Sequence, residues 1–250
     1  VREGAKAHTE ILKEYGALDN AALQAYVSGV GQKLAAQSHR ANLKWTFTVL
    51  DSPEVNAFAL PGGYVYITRG IMAYLDSEAD LAGVLGHEIG HVTARHGAQQ
   101  ATRQQSAGLA VIGATVLGAI LGGSSGAQVA GELGQQVAAG HVAKYSREHE
   151  LQADQLGAEY LARVRYDPNN MVDVIQVLKD QERCTADAAK AAGRAVPEGT
   201  GWLASHPTSD QRLADIASTA TRLAGTRGDA AWDDDGRARY LRAIDGITFG

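Results

Sequence analysis

His87-Glu88-Ile89-Gly90-His91 constrains this chain more than any other stretch. It reads H-E-x-x-H inside an apolar run with helical spacing. Ser77 opens the helix, with Asp80 in a capping-box place, and Leu81, Val84 and Leu85 lead into the motif. Two histidines four residues apart share one helix face, so both imidazoles can bind one metal ion. Glu88 stands at the edge of that face. There it can act as general base on a metal-bound water without taking a coordination site. The motif predicts a metallopeptidase.

Zinc held by two histidines needs a third protein ligand and keeps one position for water. The downstream candidates are His96, His141, His149, Glu148, Glu150 and Asp154. His96 fits poorly. A metzincin needs Gly at position 94 and His at 97, where this chain has Ala94 and Gly97. His96 also lies five residues past His91, which turns it off the ligand face. His141 and His149 read as solvated or capping residues. Glu150 and Asp154 are spaced i and i+4, so one helix can aim two carboxylates at one point. Glu150 can ligate the metal, and Asp154 can accept the spare N–H of a ligand histidine. The competing reading of Glu150 is an ordinary surface carboxylate, and spacing alone leaves the two open. Ala153 and Gly157 are small enough to let this helix approach the first one closely.

The rest of the chain supplies a scaffold. Ala5 to Gln37 reads as two helices with a break at Tyr15-Gly16, the second capped by Asp19 and turned inward on Leu23, Val27, Val30 and Leu34. Residues near 45–50, 56–60 and 64–68 alternate as three short strands, the last two joined by Pro61-Gly62-Gly63. Arg147 to Arg163 is a helix, broken at Tyr166-Asp167-Pro168. Asn169 to Gln181 is the next, and Glu182 to Gly201 reads as loop. A further helix starts at Pro207-Thr208-Ser209-Asp210, and a polar tail follows from Thr226. Residues 106–140 are Gly- and Ala-rich with an interrupted apolar run, too short to span a membrane. They read first as packed helices flanking the site, second as a mobile cover, third as peripheral contact with a membrane surface.

Bulk properties exclude some classes. With 250 residues and 45% hydrophobic residues the chain can bury a real core. The net charge of −5, with no Lys/Arg run and no aromatic pattern in Trp45, Trp202 and Trp232, argues against nucleic acid as a partner. A single cysteine, Cys184, rules out an intramolecular disulfide and a cysteine zinc site. It reads as a small buried or loop residue. The chain starts at Val1, so the expectation is a processed or trimmed product that has lost any signal peptide or lipid anchor.

The H-E-x-x-H helix followed by Ser146-Arg147-Glu148-His149-Glu150-Leu151-Gln152-Ala153-Asp154 resembles the M48 metallopeptidases. Asn56-Ala57-Phe58-Ala59-Leu60-Pro61-Gly62-Gly63 is similar to the segment that precedes the active-site helix in that family. Ser205-His206-Pro207 with Arg212 is similar to its S-H-P-x-x-x-x-R element. Residues 243–250 look like the junction that some members have before a C-terminal domain. The resemblance implies an α+β, mostly helical, zincin-like domain over residues 1–225, with a small sheet packed on the H-E-x-x-H helix. Residues 226–250 would be a tail leading to a missing domain. It implies one zinc ion on His87, His91 and Glu150, with Asp154 as the outer partner of a ligand histidine. The membrane-spanning helices of some members are absent, so the soluble periplasmic type is the nearer relative. A periplasmic place follows, with lipoprotein anchoring in the full-length form.

The expected reaction is hydrolysis of internal peptide bonds in unfolded or misassembled proteins, with Glu88 as base. Asn56, Ala57, Phe58 and Ala59 would form an edge strand that pairs with an extended substrate by β-augmentation. His206 would either donate to the oxyanion or occupy the open zinc position and block it. A capping histidine is the competing reading. Arg212 would orient this region, with a structural salt bridge as the alternative. A binding module with a gated, rarely active zinc site is the alternative function. A purely structural zinc site is disfavoured, since it would be closed by four protein ligands and leave Glu88 without a task.

Overall fold

The computed structural model describes residues 2–99, 145–195, 201–228 and 230–249. His141 and residues 106–140, with the readings attached to them, lie outside this set. Along the chain run α1 (Arg2–Tyr15), α2 (Ala21–Ala35), β1 (Thr46–Leu50), β2 (Ala57–Leu60), β3 (Tyr64–Thr68) and the single turn α3 (Arg69–Met72). Then come α4 (Glu78–Thr93), α5 (Arg147–Arg163), α6 (Asn169–Ala191), the short α7 (Trp202–Ser205), α8 (Asp210–Gly225) and α9 (Arg237–Ile244). The architecture is α+β and mostly helical, as expected from the sequence. No described helix is long and apolar enough to cross a membrane.

The sheet has the order β1-β3-β2. β1 pairs with β3 in parallel, and β2 pairs with β3 antiparallel, Phe58 opposite Tyr66 and Ala59 opposite Val65. The outer side of β1 is covered: Val49 donates to Gln24 Oε1, and its carbonyl accepts from Leu18 and from Gln24 Nε2. β2 is therefore the edge strand the sequence predicted. It lies against α4.

The pairing of α4 with α5 positions the chemistry. Their backbones meet at Gly86, Gly90 and Gly157. A Cβ on Gly90 would stand 2.7 Å from the carbonyl oxygen of Ala153, and one on Gly157 would stand 3.0 Å from the His87 nitrogen. Each mid-helix glycine costs about 1 kcal/mol relative to alanine. The close approach needs that absence of side chain, because any Cβ would force the helices apart and separate the histidines from the carboxylates. Ser77 caps α4 by accepting from Asp80 N–H at 3.0 Å.

Four local expectations need correction. The cap of α2 is Asn20, which accepts from Leu23 N–H at 2.9 Å; Asp19 lies one residue too early to reach that turn. α6 continues ten residues past Gln181, through the stretch that reads as loop. Its end is Ala-rich and exposed, with Arg183–Asp180 and Lys190–Asp187 ion pairs, so propensity supports a helix where no apolar stripe marks one. Cys184 is exposed on this helix, neither buried nor in a loop. The stretch after Thr226 is not polar throughout. In α9, Tyr240 is fully buried and its hydroxyl donates to the Met72 carbonyl at 2.6 Å. Arg239 of α9 forks onto Glu78, which also accepts from Tyr26 and Tyr166, and the Asp235 carbonyl accepts from Ala79 N–H. The first turn of α4 is thus held by the C-terminal segment.

Candidate metal centre

His87, His91, Glu150 and His206 converge, each offering a ligand atom within 4.8 Å of the others, and all four are buried. His87 and His91 come from the third and the last turn of α4, and Glu150 from the first turn of α5. His206 follows α7, whose start is pinned by Trp202 N–H to the Val55 carbonyl at 2.7 Å. His87 Nε2 and His91 Nε2 are 2.9 Å apart, and Glu150 oxygens lie 3.2 Å from His91 Nε2 and 3.5 Å from His87 Nε2.

Hydrogen bonds outside the cluster decide which ring nitrogen faces in. Asp154 Oδ1 lies 2.7 Å from His87 Nδ1 and can only accept, so Nδ1 carries the proton and Nε2 offers a lone pair. His96 Nε2 donates to Gln152 Oε1 at 2.9 Å, which leaves His96 Nδ1 as acceptor for the proton on His91 Nδ1, also at 2.9 Å. His91 Nε2 then offers a lone pair too. His206 Nδ1 lies 3.0 Å from the Trp202 carbonyl, so it donates there and its Nε2 is unprotonated. Both oxygens of Glu150 and His206 Nε2 are buried and make no hydrogen bond. Arg212 Nη1 is 2.8 Å from Glu150 Oε2, near enough for an ion pair but off the line of a hydrogen bond.

A buried cluster of acceptors facing one another without a donor is stable only around a cation. Charge leads to the same conclusion. Glu88, Glu150 and Asp154 are each 0% exposed, and among the described residues the buried guanidinium of Arg212 is the one cationic side chain paired with them, an excess of two negative charges. Burial opposes protonation of His87, but Glu150 and Asp154 outweigh it and push the ring up to about 9, so that without a metal a second proton, on Nε2, takes the place of the cation and meets the same demand for positive charge. Burial holds the His91 and His206 rings below their ordinary values, which keeps them neutral donors. With metal–ligand bonds near 2.0–2.2 Å, ligand atoms on a tetrahedron are roughly 3.3 Å apart. The His87, His91 and Glu150 distances bracket that value, so the residues fit a divalent metal.

Glu88 stands beside this set. Its Oε1 accepts from Trp202 Nε1 at 3.0 Å and lies 3.4 Å from His206 Nε2, while its buried Oε2 makes no hydrogen bond. Behind the cluster, Arg212 forks onto Asp154 through Nε at 2.6 Å and Nη2 at 2.8 Å. Burial pushes the Asp154 carboxyl up, but the Arg212 charge outweighs it and holds the group below its usual value. Arg212 Nη1 also donates to the His206 and Pro207 carbonyls at 3.2 and 3.0 Å, tying the loop to α5. Ser209 starts α8 by accepting from Arg212 N–H, which fixes the arginine at the first turn.

The sequence-predicted residues thus gather at one place. Asn56, Ala57, Phe58 and Ala59 lie on or just before β2, the edge strand of the sheet. His96 is no member of the ligand set, as expected, yet it orients His91. His149 is neither solvated nor a cap. It is 6% exposed and stacks on His96 with ring centroids 4.2 Å apart. Sequence reasoning missed Trp202, which holds Glu88 and stacks on His206 at 4.5 Å, and Tyr145, which stacks on His91 at 3.8 Å. Their signal was proximity to the two motifs: Trp202 is four residues before His206, and Tyr145 is next to Ser146.

A buried metal centre on an H-E-x-x-H helix, completed by a glutamate from a second helix, defines the gluzincin arrangement of metallopeptidases. The family model described as Peptidase family M48 matches residues 21–220, and the chain belongs to this family. It is 34% identical over 205 residues to a beta-barrel assembly-enhancing protease of Yersinia pestis, covering 80% of this chain and 40% of that protein. It is 31% identical over 209 residues to the protein of the same name from Escherichia coli (strain K12), covering 80% of this chain and 39% of that one. It is 29% identical over 215 residues to mitochondrial metalloendopeptidase OMA1 of Schizosaccharomyces pombe, covering 84% and 58%. The chain therefore spans about 40% of the length of these bacterial relatives.

Proposed function

We propose that this chain is a zinc-dependent endopeptidase that cleaves internal peptide bonds of unfolded or misassembled proteins. The observation that carries the reading is the ring of inward lone pairs on His87, His91 and Glu150 beside the free Oε2 of Glu88. Two imidazoles and one carboxylate suit zinc among the divalent ions. Zinc there would supply a Lewis acid that polarises the scissile carbonyl and makes water more acidic.

The chain's own residues do the rest. Trp202 holds Glu88 by one oxygen and leaves the other to take the proton of the attacking water and return it to the leaving amine. Asp154 fixes His87 in the ligating tautomer, and Arg212 keeps Asp154 ionised. Asn56 to Ala59 offers a strand edge to an extended chain. Such pairing runs through the backbone and suits unfolded substrates of varied sequence. The names of the bacterial relatives, which speak of β-barrel assembly, support misassembled proteins as substrates, and the reading places the chain in a bacterial periplasm. Zinc analysis coupled to a casein assay tests the reading. We expect about one zinc per chain, cleavage of casein, loss with chelator and recovery with zinc. A metal-replete protein that leaves casein intact would overturn it.

One observation favours the alternative of a gated, rarely active site as the resting state. His206 presents an unprotonated Nε2 to the cluster, which makes it a ligand in form and not an N–H donor to an oxyanion. His206→Ala is therefore expected to raise casein turnover by freeing a coordination position. A fall in kcat of about 10²- to 10³-fold at constant KM would instead assign the ring to the oxyanion.

A further inference from the structure

A pocket of about 290 Å³ opens beside the metal centre on the His91 side. Leu60 and Pro61, at the end of the edge strand, line it together with Tyr145, His91, Arg40 and Arg95. No Asp or Glu is among its described lining residues, although the neighbouring cluster is rich in carboxylates and the whole chain carries −5. The two arginines are in no ion pair among the described residues. Arg40 is half-buried, and its Nη1 donates to the Val92 carbonyl at 3.3 Å, which anchors the guanidinium beside the last turn of α4. Arg95 is exposed and sits at φ 60°, just past the end of that helix, in the left-handed region where glycine is easier to hold. Burial first, and the Arg95 charge second, push the Arg40 guanidinium below its ordinary value. Among the described residues, two like charges share one concavity without a counter-charge.

We propose that this pocket receives a carboxylate of the substrate, an Asp or Glu side chain close to the scissile bond, with Arg40 and Arg95 as specificity-determining residues. The proposal rests on the peptidase reading above. Three arguments carry it. Arginine forks match the two oxygens of a carboxylate and bind it more strongly than a neutral group. The pocket borders both His91 and the end of β2, so a chain lying along that edge would pass its side chains over it. An anion there also relieves the Arg40–Arg95 repulsion, so binding gains where the free protein is strained. Backbone pairing at the edge strand ignores sequence, and this pocket adds a selection that the strand cannot make. The same chemistry would accept a C-terminal carboxylate, which would make the chain trim ends.

The test uses peptides of one sequence that place Glu, Gln or Lys in turn at each of the three positions on either side of a scissile bond. Each is made with a free and an amidated C-terminus. At one fixed position Glu is expected to exceed Lys in kcat/KM by about 10-fold, equally for both termini, and R95E is expected to invert that order. A preference that requires the free terminus would overturn the side-chain source. Equal cleavage of Glu, Gln and Lys peptides, or a Glu preference that survives in both R95E and R40Q, would overturn the proposal. Binding of the same peptides to E88Q decides the point separately from turnover. There, Glu over Lys by about 10-fold, weakening with salt, supports the pocket even if the enzyme cleaves nothing, and equal affinities reject it even if cleavage is brisk.

Discussion

Glu88→Gln is expected to abolish proteolysis while zinc content and folding stay as in the parent chain. Glu88 is not in the converging ligand set, so the metal keeps its holders. Glutamine has the same shape, and its carbonyl oxygen can still accept the Trp202 N–H that now reaches Glu88 Oε1 at 3.0 Å. What disappears is the second oxygen, buried and free of hydrogen bonds, and with it the basicity of the carboxylate. General base catalysis contributes about 10²- to 10⁴-fold, and kcat on casein should fall by that factor. Metal analysis and thermal unfolding of the same sample separate the outcomes. A metal-replete, folded variant that keeps substantial turnover would remove Glu88 from the role of base.

Much of this centre is legible in the sequence, and the reason is geometric. An α-helix converts a spacing of four into a shared face, so His87 with His91, and Glu150 with Asp154, declare their alignment in the sequence. The small residues Ala153 and Gly157 declared that the second helix can come close. What the spacing could not declare is which carboxylate does what. That follows from distance: Asp154 lies behind His87 on Nδ1, and Glu150 lies in front, near Nε2. Trp202 and Glu88 are 114 residues apart, and no periodicity links them. The His91–His96–Gln152 chain is equally hidden, because it crosses from the end of α4 to the second turn of α5. The missed elements share another cause. The end of α6 and the whole of α9 bury few residues. One is held by alanine propensity and surface ion pairs, the other by a single buried tyrosine and an arginine fork. A pattern of burial cannot announce a helix that buries so little.

Glu150 and Asp154 share a helix face, yet their replacement should give opposite signatures, and this separates ligand from support. Glu150→Ala is expected to lose the metal outright. It removes the oxygens that lie 3.2 and 3.5 Å from the two imidazole Nε2 atoms and one of the charges that offset a dication. The fold should survive better than the metal, since alanine is small and helix-favouring and Arg212 keeps its fork on Asp154. Asp154→Asn is expected to keep the metal with about 10- to 100-fold weaker affinity, because an amide oxygen can still accept His87 Nδ1–H but orients the ring less firmly. Its larger effect falls on stability. Asparagine leaves the buried Arg212 guanidinium without its fork partner and turns an N–H₂ towards another donor. Breaking such a buried pair costs about 3 kcal/mol, which for a chain of this size lowers Tm by roughly 10 °C. Zinc titration with a competing chelator, run beside thermal unfolding of the metal-free proteins, reads both quantities. If Asp154→Asn strips the metal and Glu150→Ala retains it, the two roles are reversed. If neither variant changes zinc affinity, the metal is not held by this helix.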